Sequence, residues 1–294
     1  MLIEKKNARA HTHGRTHAHT TTNLKCAVPL RTRVSTRTYF TETHMDKATC
    51  PPSCDTGDEK EDPGAAPYGN FINYYTFNPP ENRLSLVPAT LLHELGYSDD
   101  EATLILDVGC NSGELSVAFY KHLVPQSEGN QRRGKVHLLG FDLDESLVQR
   151  AQQTNPLQDS ITFITLDITE NTEQLKVYLS EHGCSRFHLC LCLAVTMWVH
   201  LNHGDTGLTQ LLFRLASISQ HLLLEAQPWK CYRSAARRLR KLGRSDFDHF
   251  KTLKIRGDMA DHARELLEKH CGMELIQSFG STAWDRKLLL FRRK

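Results

Sequence analysis

At 294 residues the chain has room for one large or two small domains, and 36 Lys/Arg against 34 Asp/Glu leave a formal charge of +2, so the overall balance selects no class of partner. No run of about 18 apolar residues occurs, which argues against a transmembrane helix. Nine cysteines, odd in number, include Cys50-x-x-x-Cys54 in a Pro/Ser segment and Cys190-x-Cys192 inside an apolar strand pattern; without a secretory signal before them they read as reduced thiols of the cytosol or nucleus.

Residues 1–62 have a composition of their own. Up to Met45 they are rich in Thr, His and Arg and poor in acids, and from Asp46 to Asp62 they form a Pro/Cys/acidic linker. A segment with so little apolar surface reads as a disordered tail. His11, His13, His17 and His19 alternate and suit a solvated tail better than a metal site. An Arg-rich, acid-poor start is also the pattern of a mitochondrial transit peptide, and translation from Met45 is a third reading.

From residue 63 to 294 the pattern is that of a single domain. A helix is expected at about 84–95, then a strand at 103–109 that runs into Asp107-Val108-Gly109-Cys110-Asn111-Ser112-Gly113. An apolar strand, a glycine turn that permits close approach and a helix carrying Leu115, Val117, Ala118 and Leu123 form the first unit of a nucleoside-binding sheet. The second strand, 135–142, ends in Asp142, where a carboxylate can accept both hydroxyls of a ribose; the third, 161–167, ends in Asp167. A dinucleotide site asks for Gly-x-Gly-x-x-Gly, but position 111 is Asn, and Asp142 lies farther from the glycines than the roughly 20 residues such sites use. Asp107 and the looser glycine spacing suit S-adenosylmethionine, which has no pyrophosphate. Further strands at 187–196, 221–227, 273–280 and 286–293 complete the set, the last two joined by the short 281–285 connection. The expected fold is α/β: a Rossmann-like class I methyltransferase with a seven-stranded, mostly parallel sheet whose last strand is antiparallel.

Three clusters carry further chemistry. Tyr68-Gly69-Asn70-Phe71-Ile72-Asn73-Tyr74-Tyr75, followed by Arg83, precedes the first strand; such aromatics can close over a nucleoside or simply pack on the sheet. Thr196 to Asp205 follows the fourth strand and reads as a polar loop at the reaction centre; His200, His203 and Asp205 in this pattern are weak grounds for a metal, and none is expected. Trp229 to Arg244 places Arg233, Arg237, Arg240 and Arg244 at helical spacing with almost no acid among residues 228–245 to balance them, a stripe suited to a phosphate backbone rather than a merely solvated helix face.

At these clusters the sequence resembles the bicoid-interacting-protein-3 domain family of RNA methyltransferases, on Tyr68-Gly69-Asn70-Phe71 through Arg83, Asp107 to Gly113, Trp198-Val199-His200-Leu201-Asn202-His203-Gly204-Asp205 and Glu225-Ala226-Gln227-Pro228-Trp229. Residues 63–67, His203 and 228–233 are most like its short cytoplasmic branch, which methylates RNA 5′-monophosphates. The resemblance implies transfer RNA for histidine as substrate, with precursor microRNAs as another, no membrane, and a monomeric cytoplasmic enzyme. It also implies that Arg83, Asn111, Asp142, Asp167, Ile168 and Leu193 contact S-adenosylmethionine, beside Asp107 and Gly109 of the motif. Ala226 stands where the family has proline. For the phosphate, the expected grips are Tyr75, His200, Asn202 and Lys230. The rival readings are a noncatalytic RNA-binding module and a base or ribose methyltransferase on the same fold.

Overall fold

The computed structural model describes residues 66–97, 101–124, 135–170 and 172–294. The readings made for the tail and linker, residues 1–62, lie outside the described residues.

The chain enters through three single-turn helices, α1 (Tyr74–Phe77), α2 (Glu81–Leu84) and α3 (Leu91–Glu94). The continuous helix expected at 84–95 is broken by Pro88, which lacks the amide that a helix interior requires. Then come β1 (Thr103–Val108), α4 (Glu114–Leu123), β2 (Val136–Asp142), α5 (Glu145–Thr154), β3 (Ile161–Thr165), α6 (Glu173–Glu181) and β4 (Phe187–Leu193). The second half holds α7 (Thr196–Ile218), β5 (Ser219–Glu225), α8 (Trp229–Lys241), α9 (Met259–His270), β6 (Met273–Ser281) and β7 (Lys287–Arg293).

The strands form one sheet in the order β3-β2-β1-β4-β5-β7-β6. The pairs from β3 across to β5 are parallel, and β7 runs antiparallel to both β5 and β6. This is the class I methyltransferase arrangement. The order reverses between β1 and β4, so a crevice opens at their carboxyl ends, where open α/β sheets bind ligands.

Side chains alternate across the sheet because successive strand residues point to opposite faces. Leu104, Leu106, Cys190 and Cys192 pack with α6 to α9, whereas Ile105, Leu189 and Leu191 pack with α4 and α5. All of β1 is buried, so its acid, Asp107, is held inside the protein at the crevice. β4 stops three residues short of the expected end because Ala194 turns the chain at φ +61°. α5 and α9 begin at Asp144 and Asp258, whose carboxylates accept the free amides of their first turns.

Candidate active site

The turn after β1 is built around Asn111, at φ +52°, a conformation that Asn tolerates better than most side chains. Its backbone N donates to Asp142 Oδ2 at 2.9 Å, its Oδ1 accepts from Ser112 N at 2.8 Å, and its Nδ2 donates to Phe71 O at 3.1 Å. One residue, through its backbone and its side chain, thereby ties the β1 turn, the β2 carboxylate and the segment before α1 together. Gly113, at φ +79°, starts α4; a Cβ there would lie 2.8 Å from Phe163 Cζ and 2.9 Å from Ala151 Cβ.

Three acids line the crevice. Asp107 is buried and accepts from Ser116 Oγ at 2.6 Å, and burial pushes its carboxyl up to about 7. Asp142 Oδ1 accepts from Asp144 N at 3.1 Å, and burial raises this carboxyl too. Asp167 accepts from Thr169 N and Oγ1, each at 2.7 Å.

These acids share one cavity with Gly109, Asn111, Ile168 and Leu193, and with Tyr68, Asn70, Tyr75, Leu143, Trp198 and His203; it holds about 900 Å³ of empty space including its open mouth. The segment before α1 forms one wall. Gly69, at φ +80°, lies against Trp198 so closely that a Cβ would come within 2.2 Å of the indole nitrogen. Asn70 Nδ2 donates to Asp144 Oδ2 at 2.8 Å, while its buried Oδ1 has no partner. Tyr75 donates to Cys110 O at 3.1 Å, and burial keeps its hydroxyl protonated.

Arg83 is placed behind this wall rather than on it. It is fully buried, with Nε 2.5 Å from Glu225 Oε2 and Nη2 donating both to Glu225 Oε1 and to Tyr74, whose ring lines the cavity. Arg286 Nη1 also donates to Glu225, at 2.9 Å, so two guanidiniums flank one carboxylate at the end of β5. Arg83 Nη1 is buried without a partner. Two residues along, Gln227 receives Met197 N and Thr196 Oγ1 and donates to Ala194 O, which clamps the turn between β4 and α7.

Three of the four expected phosphate grips do not reach the cavity wall. The stretch 196–205 is helical, not a loop, with a break at Gly204 (φ +68°, ψ −171°). His200 is consequently buried under α8: Nε2 bonds to Asp205 Oδ1 at 2.8 Å and Nδ1 to the Tyr232 hydroxyl at 3.0 Å. Asn202 Nδ2 is spent on Pro67 O and Trp198 O. Lys230 is exposed and pairs with Asp285 Oδ2 at 3.0 Å. Only Tyr75 of the four lines the cavity, and Trp198 and His203, a few residues from the expected ones, line it instead.

Outside the cavity, α8 presents Arg233, Arg237, Arg238 and Arg240 to solvent, whereas Arg244 falls beyond the helix. Arg238 lies 4.7 Å from the centre of the Phe71 ring, and Phe71 meets Trp198 edge-on at 5.9 Å. The basic helix is thus joined to the cavity through two aromatic rings.

Residues 187–293 match the Bicoid-interacting protein 3 (Bin3) family. A zebrafish (Danio rerio) relative, "Pre-miRNA 5'-monophosphate methyltransferase", is 66% identical over 244 residues, 81% of this chain and 96% of its own length. The chain belongs to the Bin3 family. A human relative, "RNA 5'-monophosphate methyltransferase", is 52% identical over 79% of this chain and 82% of its own length. Among solved structures, a Synechocystis magnesium protoporphyrin IX methyltransferase with bound SAM aligns at a TM-score of 0.47 with 14% identity, over 81% of this chain and 100% of that one. Among the described residues no helix is long and apolar enough to cross a membrane.

Proposed function

We propose that this Bin3 protein transfers a methyl group from S-adenosylmethionine to the 5′-monophosphate of small RNAs, transfer RNA for histidine first among them and precursor microRNA as a second substrate. The observation that carries the reading is the continuity just described: an acid-lined crevice at the sheet's reversal point opens beside an acid-free basic helix. The activity in the names of the zebrafish and human relatives supports it. A cytoplasmic, monomeric enzyme belongs to the same reading.

The residues present fit the cofactor. Asn70 Oδ1 and Arg83 Nη1 are buried polar atoms in want of partners, one at the cavity wall and one behind it. Asp142, fixed by two backbone amides, would receive the ribose hydroxyls, with Leu143, Ile168 and Leu193 as apolar contacts for the base. Asp107, Gly109, Asn111 and Asp167 would complete the holding set, and Asp107 would balance positive charge on the methionine part. Bound there, S-adenosylmethionine supplies a methyl carbon that a phosphate oxygen can attack as neutral thioether leaves.

The protein need not supply a base. The second phosphate pKa is about 6, so the nucleophile is already ionised near pH 7. Tyr75, kept protonated by burial, spends its one hydrogen on Cys110 O and so serves as a fixed part of the cavity wall. The work left to the chain is alignment, which can be worth roughly 7 to 11 kcal/mol. His203, which is exposed, and Trp198 line the cavity and would meet the acceptor phosphate.

The test is a phosphatase control. RNA carrying a 5′-monophosphate should gain methyl mass at its 5′ end when incubated with enzyme and S-adenosylmethionine, and the same RNA stripped to a 5′-hydroxyl should gain none. Equal incorporation into both would assign the methyl group to a base or ribose instead.

A further inference from the structure

His200 and Asp205 have no part in the chemistry above, yet both are fully engaged in hydrogen bonds outside the cavity. Asp205 sits just past the break at Gly204 and accepts four contacts: His200 Nε2, Lys254 N at 2.9 Å and Ile255 N at 3.1 Å on its side chain, with Thr209 Oγ1 on its carbonyl. Burial works against its charge, but the bonds from His200 and the two amides hold it below the usual carboxylate range. A carboxylate can only accept, so His200 Nε2 carries the ring proton. Burial lowers the His200 pKa and keeps the ring neutral, which leaves Nδ1 to accept from the Tyr232 hydroxyl on α8.

The chain held by Asp205 is basic. Residues 249–257 contain Lys251, Lys254 and Arg256 and no acid, and all three cations are exposed. Phe250 stacks on Trp229 of α8 at 5.8 Å and 8°, and the Arg256 guanidinium lies 5.3 Å from the centre of the same indole. The break at Gly204 makes room: a Cβ there would meet His249 Nδ1 at 3.0 Å. Two cationic strips that are separate in sequence are therefore adjacent in space, and Asp205 links them through His200 and Tyr232.

We propose that Tyr232, His200 and Asp205 form a positioning relay that holds segment 249–256 beside α8, so that the two strips together make one surface for the phosphate backbone of the RNA substrate. The proposal rests on the functional reading above. It extends the RNA-contacting surface beyond α8 and gives the buried histidine a role in holding RNA rather than in transferring the methyl group.

The test measures binding of a 5′-monophosphorylated hairpin RNA by fluorescence anisotropy from 50 to 300 mM salt. The surface variant Lys251→Ser/Lys254→Ser/Arg256→Ser should weaken RNA binding at least tenfold at about 100 mM salt and flatten the log–log salt slope by about 2 to 3, the loss of as many phosphate contacts. Asp205→Ala should shift both quantities in the same direction, while calorimetry shows S-adenosylmethionine affinity within about twofold of wild type. His200→Gln, which can still donate to Asp205 and accept from Tyr232, should bind RNA more like wild type than His200→Ala. An unchanged affinity and slope in the triple surface variant would overturn the proposal whether or not the buried variants fold. So would a folded Asp205→Ala protein with the wild-type slope. Wild-type protein that binds no such RNA would overturn the functional reading, and the surface with it.

Discussion

Asp107 has two opposed duties. Burial raises the pKa of its carboxyl to about 7 against the hydrogen bond from Ser116, which lowers it, whereas a positively charged ligand would favour its ionised form. Because the folded value lies above the unfolded one, this group's contribution to stability is complete below about pH 4 and drains away as pH rises to about 7. Asp107→Asn removes the titration. The melting temperature of the variant relative to wild type should therefore climb between pH 5 and pH 8, while its affinity for S-adenosylmethionine falls. A difference in melting temperature that stays flat over that range would show that the carboxyl is not held neutral. Asp107, Asn111 and Asp142 were legible in the sequence because a strand end and a glycine turn fix where they sit. Arg83 was not, since its position depends on Glu225, 142 residues away. His200 misled for a similar reason: its two partners lie 5 and 32 residues off, and only packing reveals that both ring nitrogens are engaged.

At the scale of elements, the strands were readable to within three residues because buried parallel strands are short apolar runs with few alternatives. Two segments were not. Residues 84–95 look helical in pattern, but Pro88 divides them, and 196–205 look like a loop because His200, Asn202, His203, Gly204 and Asp205 are weak helix formers, although Met197, Val199 and Leu201 between them pack into the core. The segment before α1 was visible as an aromatic cluster, though not its closeness to Trp198. Gly69 tests that closeness. Alanine at a left-handed position costs roughly 1–2 kcal/mol in itself, and Gly96 has nearly the same φ, +82°, with nothing within 4 Å of a Cβ. Urea unfolding should therefore show Gly69→Ala losing more stability than Gly96→Ala. Calorimetry should show only the former weakening S-adenosylmethionine, because only there does the added methyl push the cavity wall away from Trp198. Equal losses at both sites, with cofactor affinity intact, would mean that the wall yields freely.

For the whole molecule, the near-cancelling charge conceals a strong local field. Residues 228–245 carry seven Lys/Arg and no Asp/Glu, against a net of only +2 for all 294 residues. A polyanion that comes near α8 therefore meets a positive local field, and at about 0.15 M salt that field extends only about 8 Å. Such a surface acts by contact and counterion release more than by long-range steering. Reversing two of its exposed charges, Arg237→Glu with Arg240→Glu, should thus weaken 5′-monophosphate RNA strongly at low salt and less at high salt, flattening the salt slope by about 2. S-adenosylmethionine affinity should not change, because neither residue lines the cavity. Arg238 is left in place in this variant, since its guanidinium packs on Phe71 and its loss would disturb the cavity wall as well as the charge. If anisotropy gives the wild-type slope for the reversed protein, α8 is a solvated face and does not hold the RNA.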